Sequence, residues 1–401
     1  MVWLVLAAAV CTDGWRADAE EVARRQAKRP DFTYAEAEVP EYTLPPAVPE
    51  GATADSWRSH QRRELVARIQ TNVYGVFPSG AAVLYSEGDA PTPSPHGVLN
   101  ADYARVAVDV QYALRKRTLT GHLFLPPDAK APVPVFVLID HRGVVDDSPG
   151  RGPESGGFWP VEAILAAGYG TLAFRTEQID PDEDDGFRNG LHALFADRRE
   201  AESATWSTIA AWAWGASRFV DAVGRVEGVD ADRIAVIGHS RGGKTALCAG
   251  AYDPRIALTI ANESGCGGAA LSRRRFGETV ERINRVFPHW FCDRFSDFDG
   301  REGELPLDQH SVIAAIAPRA VCVGSADRDL WADPRGEYLG LKAADPAFAL
   351  YGDGPLSEMP PLDTPVRTAV RGYHIRSGGH DLTDADWAVY LDFADHLWCR
   401  E

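Results

Sequence analysis

The pattern of apolar and polar positions changes about a quarter of the way along the chain. A proline-rich stretch at residues 30–49 favours an extended arm, because proline fixes the backbone and removes a hydrogen-bond donor. A helical pattern follows at residues 56–74. Two runs rich in β-forming residues, 105–114 and 119–125, then predict an antiparallel entry into a sheet.

Beyond residue 130, short apolar strands alternate with helices. Strands are predicted at 133–139, 170–174, 234–237, 257–261, 320–323 and 370–374, and helices at 161–167, 203–223 and 384–398. This alternation predicts parallel βαβ units with helices on both faces, so the expected fold is a doubly wound, mostly parallel α/β sheet in a three-layer sandwich. Residues 30–401 should form one domain, with an arm at 30–55 and a long irregular insertion at 265–307 that would bind substrate.

Composition and charge narrow the function classes. With 401 residues and 45% hydrophobic content, the chain can bury one large core. Its formal net charge of −17 argues against nucleic acid or anionic membranes as partners, because each phosphate contact requires clustered Lys or Arg. The six cysteines form no C-x-x-C pair or cluster with His, so we expect no zinc site, and a bridge between Cys266 and Cys292 stays open. No cofactor or metal is expected, and a monomer is.

The first residues have features of an export signal. Residues 2–10 form an apolar run that is too short to span a bilayer and about long enough for the core of a signal peptide. No basic residue precedes the run, and Cys11 follows it as a lipid-attached cysteine would. Residues 1–29 are therefore interpreted as an export signal and N-terminal segment of a secreted or periplasmic protein, with a cytoplasmic first helix as the alternative.

The clearest chemical signal is a G-x-S-x-G motif at residues 238–242, which separates a buried strand from a helix of small residues. In that context the motif forms the nucleophile elbow of α/β-hydrolases, where a strained turn lifts the serine clear of the sheet. Ser240 is the predicted nucleophile. The amide of Arg241, at the start of the helix, would point toward a developing oxyanion.

A serine hydroxyl needs a base and a third group that orients the base. His380 is the predicted base, because it follows the last predicted strand in RSGGHDLT. His374 lies within that strand and is expected to be packed or hydrogen-bonded, whereas His310 is expected at a helix start that Asp308 caps. Two strand ends offer an acid, Glu263 before SGCGG and Asp329 within SADRDLWADP, and the residues alone do not decide between them.

These motifs resemble those of the glucuronoyl esterases, the fifteenth carbohydrate esterase family, and its bacterial branch in particular. The resemblance spans most of the chain from Asp31 onward and rests on S-R-x-G-K at 240–244, E-S-G at 263–265 and D-x-W at 329–331. It implies that Ser240 attacks an ester of 4-O-methyl-glucuronic acid, the bond that ties xylan to lignin alcohols, so a glucuronoxylan-type ester is the expected substrate.

The resemblance also implies roles for four further side chains. Arg241 would stabilise the oxyanion, Lys244 would contact sugar hydroxyls, and Trp331 and Trp290 would belong to the substrate site. Without the resemblance, a solvated helix face for the two cations and core packing for Trp331 are the simpler interpretations. Family members commonly hold the uronate through a Gln and a Glu upstream of a Trp, but here that segment reads GETVERINRVFPHWFC.

Two other functions remain open on the sequence. The same residues could deacetylate xylan or cleave another small acyl ester, and a non-catalytic α/β-hydrolase relative could serve as a binding protein. The acidic run DPDEDD at residues 180–185 raises a metal-binding module as a third alternative. It lacks the regular spacing and the glycine of a calcium loop, so a solvated loop is expected there.

Overall fold

A mixed β-sheet forms the centre of the structure, a computed structural model that describes residues 14–85, 92–93, 101–127, 129, 131–144, 156–199 and 206–398. The apolar run at 2–10, Cys11 and Cys399 lie outside the described residues. The strands are β1 Ala82–Tyr85, β2 Thr92–Pro93, β3 Asp102–Tyr112, β4 Arg115–Leu125, β5 Val133–Asp140, β6 Gly170–Arg175, β7 Val229–His239, β8 Leu258–Asn262, β9 Ala320–Ala326, β10 Val366–Arg367 and β11 Arg371–Arg376.

The order of the strands confirms the predicted antiparallel entry and parallel core. Along the sheet the order is β1-β3-β4-β6-β5-β7-β8-β9-β11-β10, and β2 pairs with β3. The six strands from β6 to β11 in that order run parallel, whereas β1, β3 and β4 on one side and β10 on the other are antiparallel to their neighbours. The carboxyl ends of β8, β9 and β11 therefore lie side by side.

Helices surround the sheet on both faces. They are α1 Ala19–Lys28, α2 Ala54–Ser56, α3 Arg62–Ile69, α4 Val161–Ala166, α5 Gly190–Leu194, α6 Ala196–Arg199, α7 Thr208–Val223, α8 Arg241–Tyr252, α9 Val280–Val286, α10 Gln309–Ala314, α11 Pro334–Ala343, α12 Asp345–Ala349 and α13 Asp384–Trp398. Every residue of β5 is buried, and successive side chains alternate between two cores. Val135 and Val137 pack into the core that contains α7 and α8, while Phe136 and Leu138 pack into the core that contains α4 and α13, because strand side chains alternate between the faces of a sheet.

The arm and the insertion pack against each other. The proline-rich arm is irregular except for a short turn at Glu36–Glu38, and Tyr34 is buried against Phe276 of the insertion. The insertion holds α9 and three short 3₁₀ turns, Ser272–Arg274, Asp293–Phe298 and Glu302–Glu304. Cys266 and Cys292 are both buried free thiols, so the bridge that the sequence left open is not formed. None of the described helices has the length and apolar character needed to cross a membrane.

Candidate active site

The turn between β7 and α8 holds Ser240 in a strained conformation. Ser240 has φ 55° and ψ −123°, a region that a non-glycine residue rarely occupies. A Cβ on Gly238 would lie 2.1 Å from the carbonyl oxygen of Gly242, so the turn leaves no room for a side chain there. The Ser240 amide donates to the Asn262 carbonyl at 2.9 Å, which fastens the turn to the end of β8.

Adjacent strand ends bring the predicted base and both candidate acids together. His380 follows β11, Asp329 follows β9 and Glu263 follows β8. His380 Nδ1 lies 2.6 Å from an Asp329 carboxylate oxygen and 3.2 Å from a Glu263 carboxylate oxygen. The His380 ring lies 4.4 Å, between centroids, from the ring of His239, the residue before Ser240. All four residues therefore lie at one edge of the sheet.

The other ring nitrogen of His380 and the serine hydroxyl are not used by the surrounding chain. Within the described residues, neither His380 Nε2 nor Ser240 Oγ makes a hydrogen bond. The His380 side chain is 42% exposed, although Glu263 behind it is fully buried. Because Nδ1 faces the carboxylates, Nε2 is the nitrogen left to exchange a proton with a hydroxyl or a substrate.

A buried network supports Glu263 from behind. Arg376 donates to Glu263 at 2.6 Å and to Asp386 of α13 at 2.6 Å. Asp386 also accepts from His374 at 2.8 Å, so His374 is a buried structural residue. The Asp381 amide donates to the second Glu263 oxygen at 3.1 Å. Glu263 is therefore shared between His380 and this network, whereas Asp329 makes the shorter contact to the imidazole.

Two pKa values in this cluster are raised, that of His380 by neighbouring carboxylates and that of Glu263 by burial. Burial by itself would lower the pKa of His380, but the hydrogen bonds and negative charges of Asp329 and Glu263 outweigh burial and raise it. Burial raises the pKa of Glu263 well above its ordinary value, although His380 and Arg376 act in the opposite direction. Removing either negative charge should therefore make the imidazole less basic.

The donor atoms of Glu263, Asp329 and His380 lie within 4.8 Å of one another, close enough to hold a metal ion. No second group of this kind occurs in the part of the chain that the structure describes. The Nδ1 and carboxylate oxygens already bond to each other, and Glu263 is also occupied by Arg376. The arrangement is that of a base held by acids, and it provides what a two-step acyl transfer needs.

The acidic run that appeared to be a solvated loop contributes to the site. Asp182 accepts from Arg241, from Trp290 Nε1 at 2.7 Å and from His289 Nε2 at 2.9 Å. The Arg241 guanidinium also lies over the Trp290 ring, 4.7 Å from its centroid. Burial raises the pKa of Asp182, but the His289 hydrogen bond and the Arg241 charge outweigh burial and lower it to about 2. The carboxylate is therefore charged, and it holds the guanidinium of the residue that follows Ser240.

The sequence prediction missed Asp182 because the run was considered only as a loop or a metal site. One signal could have revealed it. The run closely follows β6, a parallel strand, so its residues come to the same edge of the sheet as Ser240. An arginine expected beside a nucleophile also needs an acidic partner that holds it in place.

Lys244 is buried rather than solvated. Only 4% of it is exposed, and its ammonium group donates to the Ser264 carbonyl at 2.6 Å. Burial lowers its pKa. The ammonium nitrogen is 5.7 Å from the Trp290 ring centroid, and Trp290 stacks on Phe287 with centroids 3.8 Å apart. The solvated helix face inferred from residues alone is therefore wrong for Lys244.

Trp331 lies on the other side of the Asp329 loop, where the N-terminal segment packs on it. The ring is partly buried, 4.9 Å from the ring of Phe32, and the guanidinium of Arg29 lies 3.8 Å from its centroid. The Glu278 amide of the insertion donates to the Trp331 carbonyl at 3.1 Å, and burial raises the pKa of the Glu278 carboxyl. Trp331 therefore joins the N-terminal segment, the acid loop and the insertion.

Comparisons with known proteins agree with one another. A family model described as "Glucuronyl esterase, fungi" matches residues 108–352. A carbohydrate esterase from an unknown prokaryotic organism is 39% identical over 91% of this chain and 92% of its own length. A 4-O-methyl-glucuronoyl methylesterase of Phanerochaete chrysosporium is 37% identical over 37% of this chain and 34% of its own length.

Solved structures give the same result at the level of the fold. A structure described as a promiscuous CE15 esterase from a marine bacterial metagenome superposes with a TM-score of 0.81 and 37% identity, covering 91% of this chain and 99% of that one. A glucuronoyl esterase from Solibacter usitatus gives a TM-score of 0.80 with 36% identity, covering 90% of this chain and all of that one. The sheet, its helices and the elbow are thus those of an α/β-hydrolase, as the sequence predicted.

Proposed function

This chain belongs to the glucuronoyl esterase family of serine carboxylic ester hydrolases, and we propose that it cleaves esters of 4-O-methyl-glucuronic acid in glucuronoxylan with Ser240 as its nucleophile. One observation carries the proposal. The residue before a serine in a strained elbow has its ring 4.4 Å from an imidazole, and two carboxylates contact that imidazole at the same nitrogen. The names of the relatives supply the substrate class.

In the proposed reaction His380 removes the Ser240 proton through Nε2 as the serine oxygen attacks the ester carbonyl. The tetrahedral adduct collapses, the alcohol leaves with the proton from His380, and an acyl-enzyme remains. Water, deprotonated by the same imidazole, then releases the uronic acid. The imidazolium that forms in each step is stabilised by the carboxylates at Nδ1, whose contacts of 2.6 and 3.2 Å also fix the ring orientation.

We assign the main orienting role to Asp329 and a supporting one to Glu263. The Asp329 contact is shorter, and among the residues that the structure describes His380 is the one cationic side chain within 4.0 Å of that carboxylate. Glu263 accepts from Arg376 and from a backbone amide, so less of its charge acts on His380. Loss of Asp329 should therefore cost more activity than loss of Glu263.

The oxyanion would be stabilised by the Arg241 amide and guanidinium, with Asp182 as a positioning residue that acts through Arg241. The first turn of α8 supports the amide role, because the unpaired amides of a helix N-terminus favour negative charge. Trp290, a residue of the insertion whose ring lies under the guanidinium, would form one wall of the sugar site. Trp331 would form the other wall of the sugar site. Buried Lys244, whose ammonium group donates to the Ser264 carbonyl, would also contact the sugar hydroxyls.

The deciding experiment compares kcat/KM on benzyl glucuronate, methyl galacturonate and an aryl acetate, with Ser240→Ala as the blank. The proposal requires benzyl glucuronate to be the best substrate and the Ser240→Ala variant to lose essentially all turnover. A clear preference for the aryl acetate would indicate a small-acyl esterase instead. No turnover of any ester, together with no labelling of Ser240 by a fluorophosphonate probe, would indicate a binding protein.

A further inference from the structure

A basic cavity lies beside Trp331 although the chain as a whole is strongly acidic. Its volume is about 530 Å³, and the formal charge of the whole chain is −17. The cavity lies between the end of α1 and the insertion, and its lining is Lys28, Arg29, Pro30, Asp31, Phe32, Arg275, Thr279, Glu281, Arg282 and Arg285. Five cations face two acids in this lining, so the cavity is a positive region on a negative molecule.

Within the described part of the chain, four of these five cations form no ion pair, although the charges of Arg29 and Arg282 also act on buried Glu278. Arg275 forms an ion pair with Glu302 at 3.4 Å. For Lys28, Arg29, Arg282 and Arg285, no described carboxylate lies within 4.0 Å of the charged group. Elsewhere on the chain, arginines are commonly paired with a neighbouring carboxylate, as in Arg24 with Glu21. Four unpaired cations close together repel one another, and an anion bound among them would relieve that repulsion.

The cavity and the site share a wall. Phe32 and Arg29 line the cavity and also contact Trp331. The ring centroids of Phe32 and Trp331 are 4.9 Å apart, and the Arg29 guanidinium lies 3.8 Å from the Trp331 centroid. Arg25 of α1 donates to the Arg328 carbonyl at 2.6 Å, which joins the N-terminal segment to the loop that carries Asp329. A saccharide that extends past Trp331 from the ester would therefore reach the cavity. Arginine suits such a ligand, because its planar fork matches a carboxylate.

We infer that this cavity binds a free carboxylate of an acidic polysaccharide, namely a second, unesterified uronate on the chain that carries the scissile ester. The inference rests on the proposed function for its substrate class. Binding of this second uronate gives the enzyme a preference for an ester carried by acidic xylan over the same ester on a neutral chain. The negative charge of the remaining surface repels a polyanion, so this region provides the favourable place for it to dock.

The test uses wild-type enzyme whose Ser240 has been blocked with a fluorophosphonate, so that the ester site itself cannot report binding. The probe is a xylo-oligosaccharide with one free 4-O-methyl-glucuronate, and a neutral xylo-oligosaccharide of equal length is the control. We expect the acidic probe to bind more tightly, with an affinity that falls as salt is raised. The double variant Arg282→Gln with Arg285→Gln should bind the acidic probe about fivefold more weakly, which is the combined effect of losing two exposed ion pairs.

A matched double variant, Arg63→Gln with Arg105→Gln, removes two exposed arginines outside the cavity and should leave binding unchanged. Equal binding of acidic and neutral probes, or equal loss in the two double variants, would overturn the inference. Benzyl glucuronate separates this failure from that of the proposed function. Arg282→Gln with Arg285→Gln should cleave this small ester at the wild-type rate, whereas a wild-type enzyme that does not cleave it would refute the function itself.

Discussion

Replacing Asp182 by Asn tests whether the acidic loop positions Arg241. Asn keeps the size of the side chain but removes the charge that Arg241, His289 and Trp290 share. A hydrogen bond to a charged group contributes about 1.5–3 kcal/mol. The Arg241 and Asp182 side chains are 29% and 28% exposed, so screening favours the lower end of that range. A loss of about 1.4 kcal/mol in the transition state corresponds to a roughly tenfold lower kcat.

The assay is steady-state hydrolysis of benzyl glucuronate by the single variants and the double variant. Because the oxyanion exists only in the transition state, kcat and kcat/KM should fall together while KM changes little. In an Arg241→Ala background, Asp182→Asn should have almost no further effect on kcat, because the residue through which it acts is absent. Asp184→Asn, an exposed carboxylate of the same loop, is the control and should match wild type. Equal effects of Asp182→Asn in both backgrounds, or a higher kcat in the single variant, would refute the positioning role.

Three further predictions concern the base and the elbow. Asp329→Asn should lower kcat more than Glu263→Gln, since its contact with His380 is 2.6 Å against 3.2 Å, and steady-state kinetics that reverse this order would exchange the roles of the acids. Glu263→Gln should move the acidic limb of the pH profile of kcat/KM to lower pH. The Glu263 carboxylate raises the pKa of His380, so without that charge the imidazole loses its proton at a lower pH. An acidic limb that stays in place or moves to higher pH would contradict this. Gly238→Ala should unfold at a much lower temperature or fail to fold, because its Cβ would lie 2.1 Å from a carbonyl oxygen, whereas Gly303→Ala has open space and should melt like wild type.

The sequence was sufficient for the parts of the fold that depend on local pattern. The parallel strands from residue 133 onward and the last helix were predicted because a buried strand is a short apolar run and a helix repeats every 3.6 residues, whereas the two-residue strand β10 was not predicted. The helix at 384–398 has the predicted bounds, and β7 extends five residues earlier than predicted, to Val229. The start of α10 was predicted at His310, but the short helices α11 and α12 were not predicted. They span ten residues or fewer, so their apolar pattern is too brief to identify from the sequence.

Side-chain partners were harder to predict than elements. The contact of Asp182 with Arg241 joins residues 59 positions apart, and nothing local in DPDEDD indicates which carboxylate turns inward. Lys244 was expected to be solvated on general grounds, but the Ser264 carbonyl gives its ammonium group a buried partner. Both cases depend on how separate strand ends are arranged in space, which a linear pattern does not contain.

The connection of Asp386 to Glu263 through Arg376 gives the carboxyl-terminal helix a role in the chemistry. Proteolytic trimming that removes α13 would leave a buried guanidinium without one of its two acids and a buried His374 without its acceptor. Such a cut would change the surroundings of Glu263 and, through it, of His380. Purification tags, fusion partners and immobilisation linkers should accordingly be attached beyond residue 398, with the helix left whole.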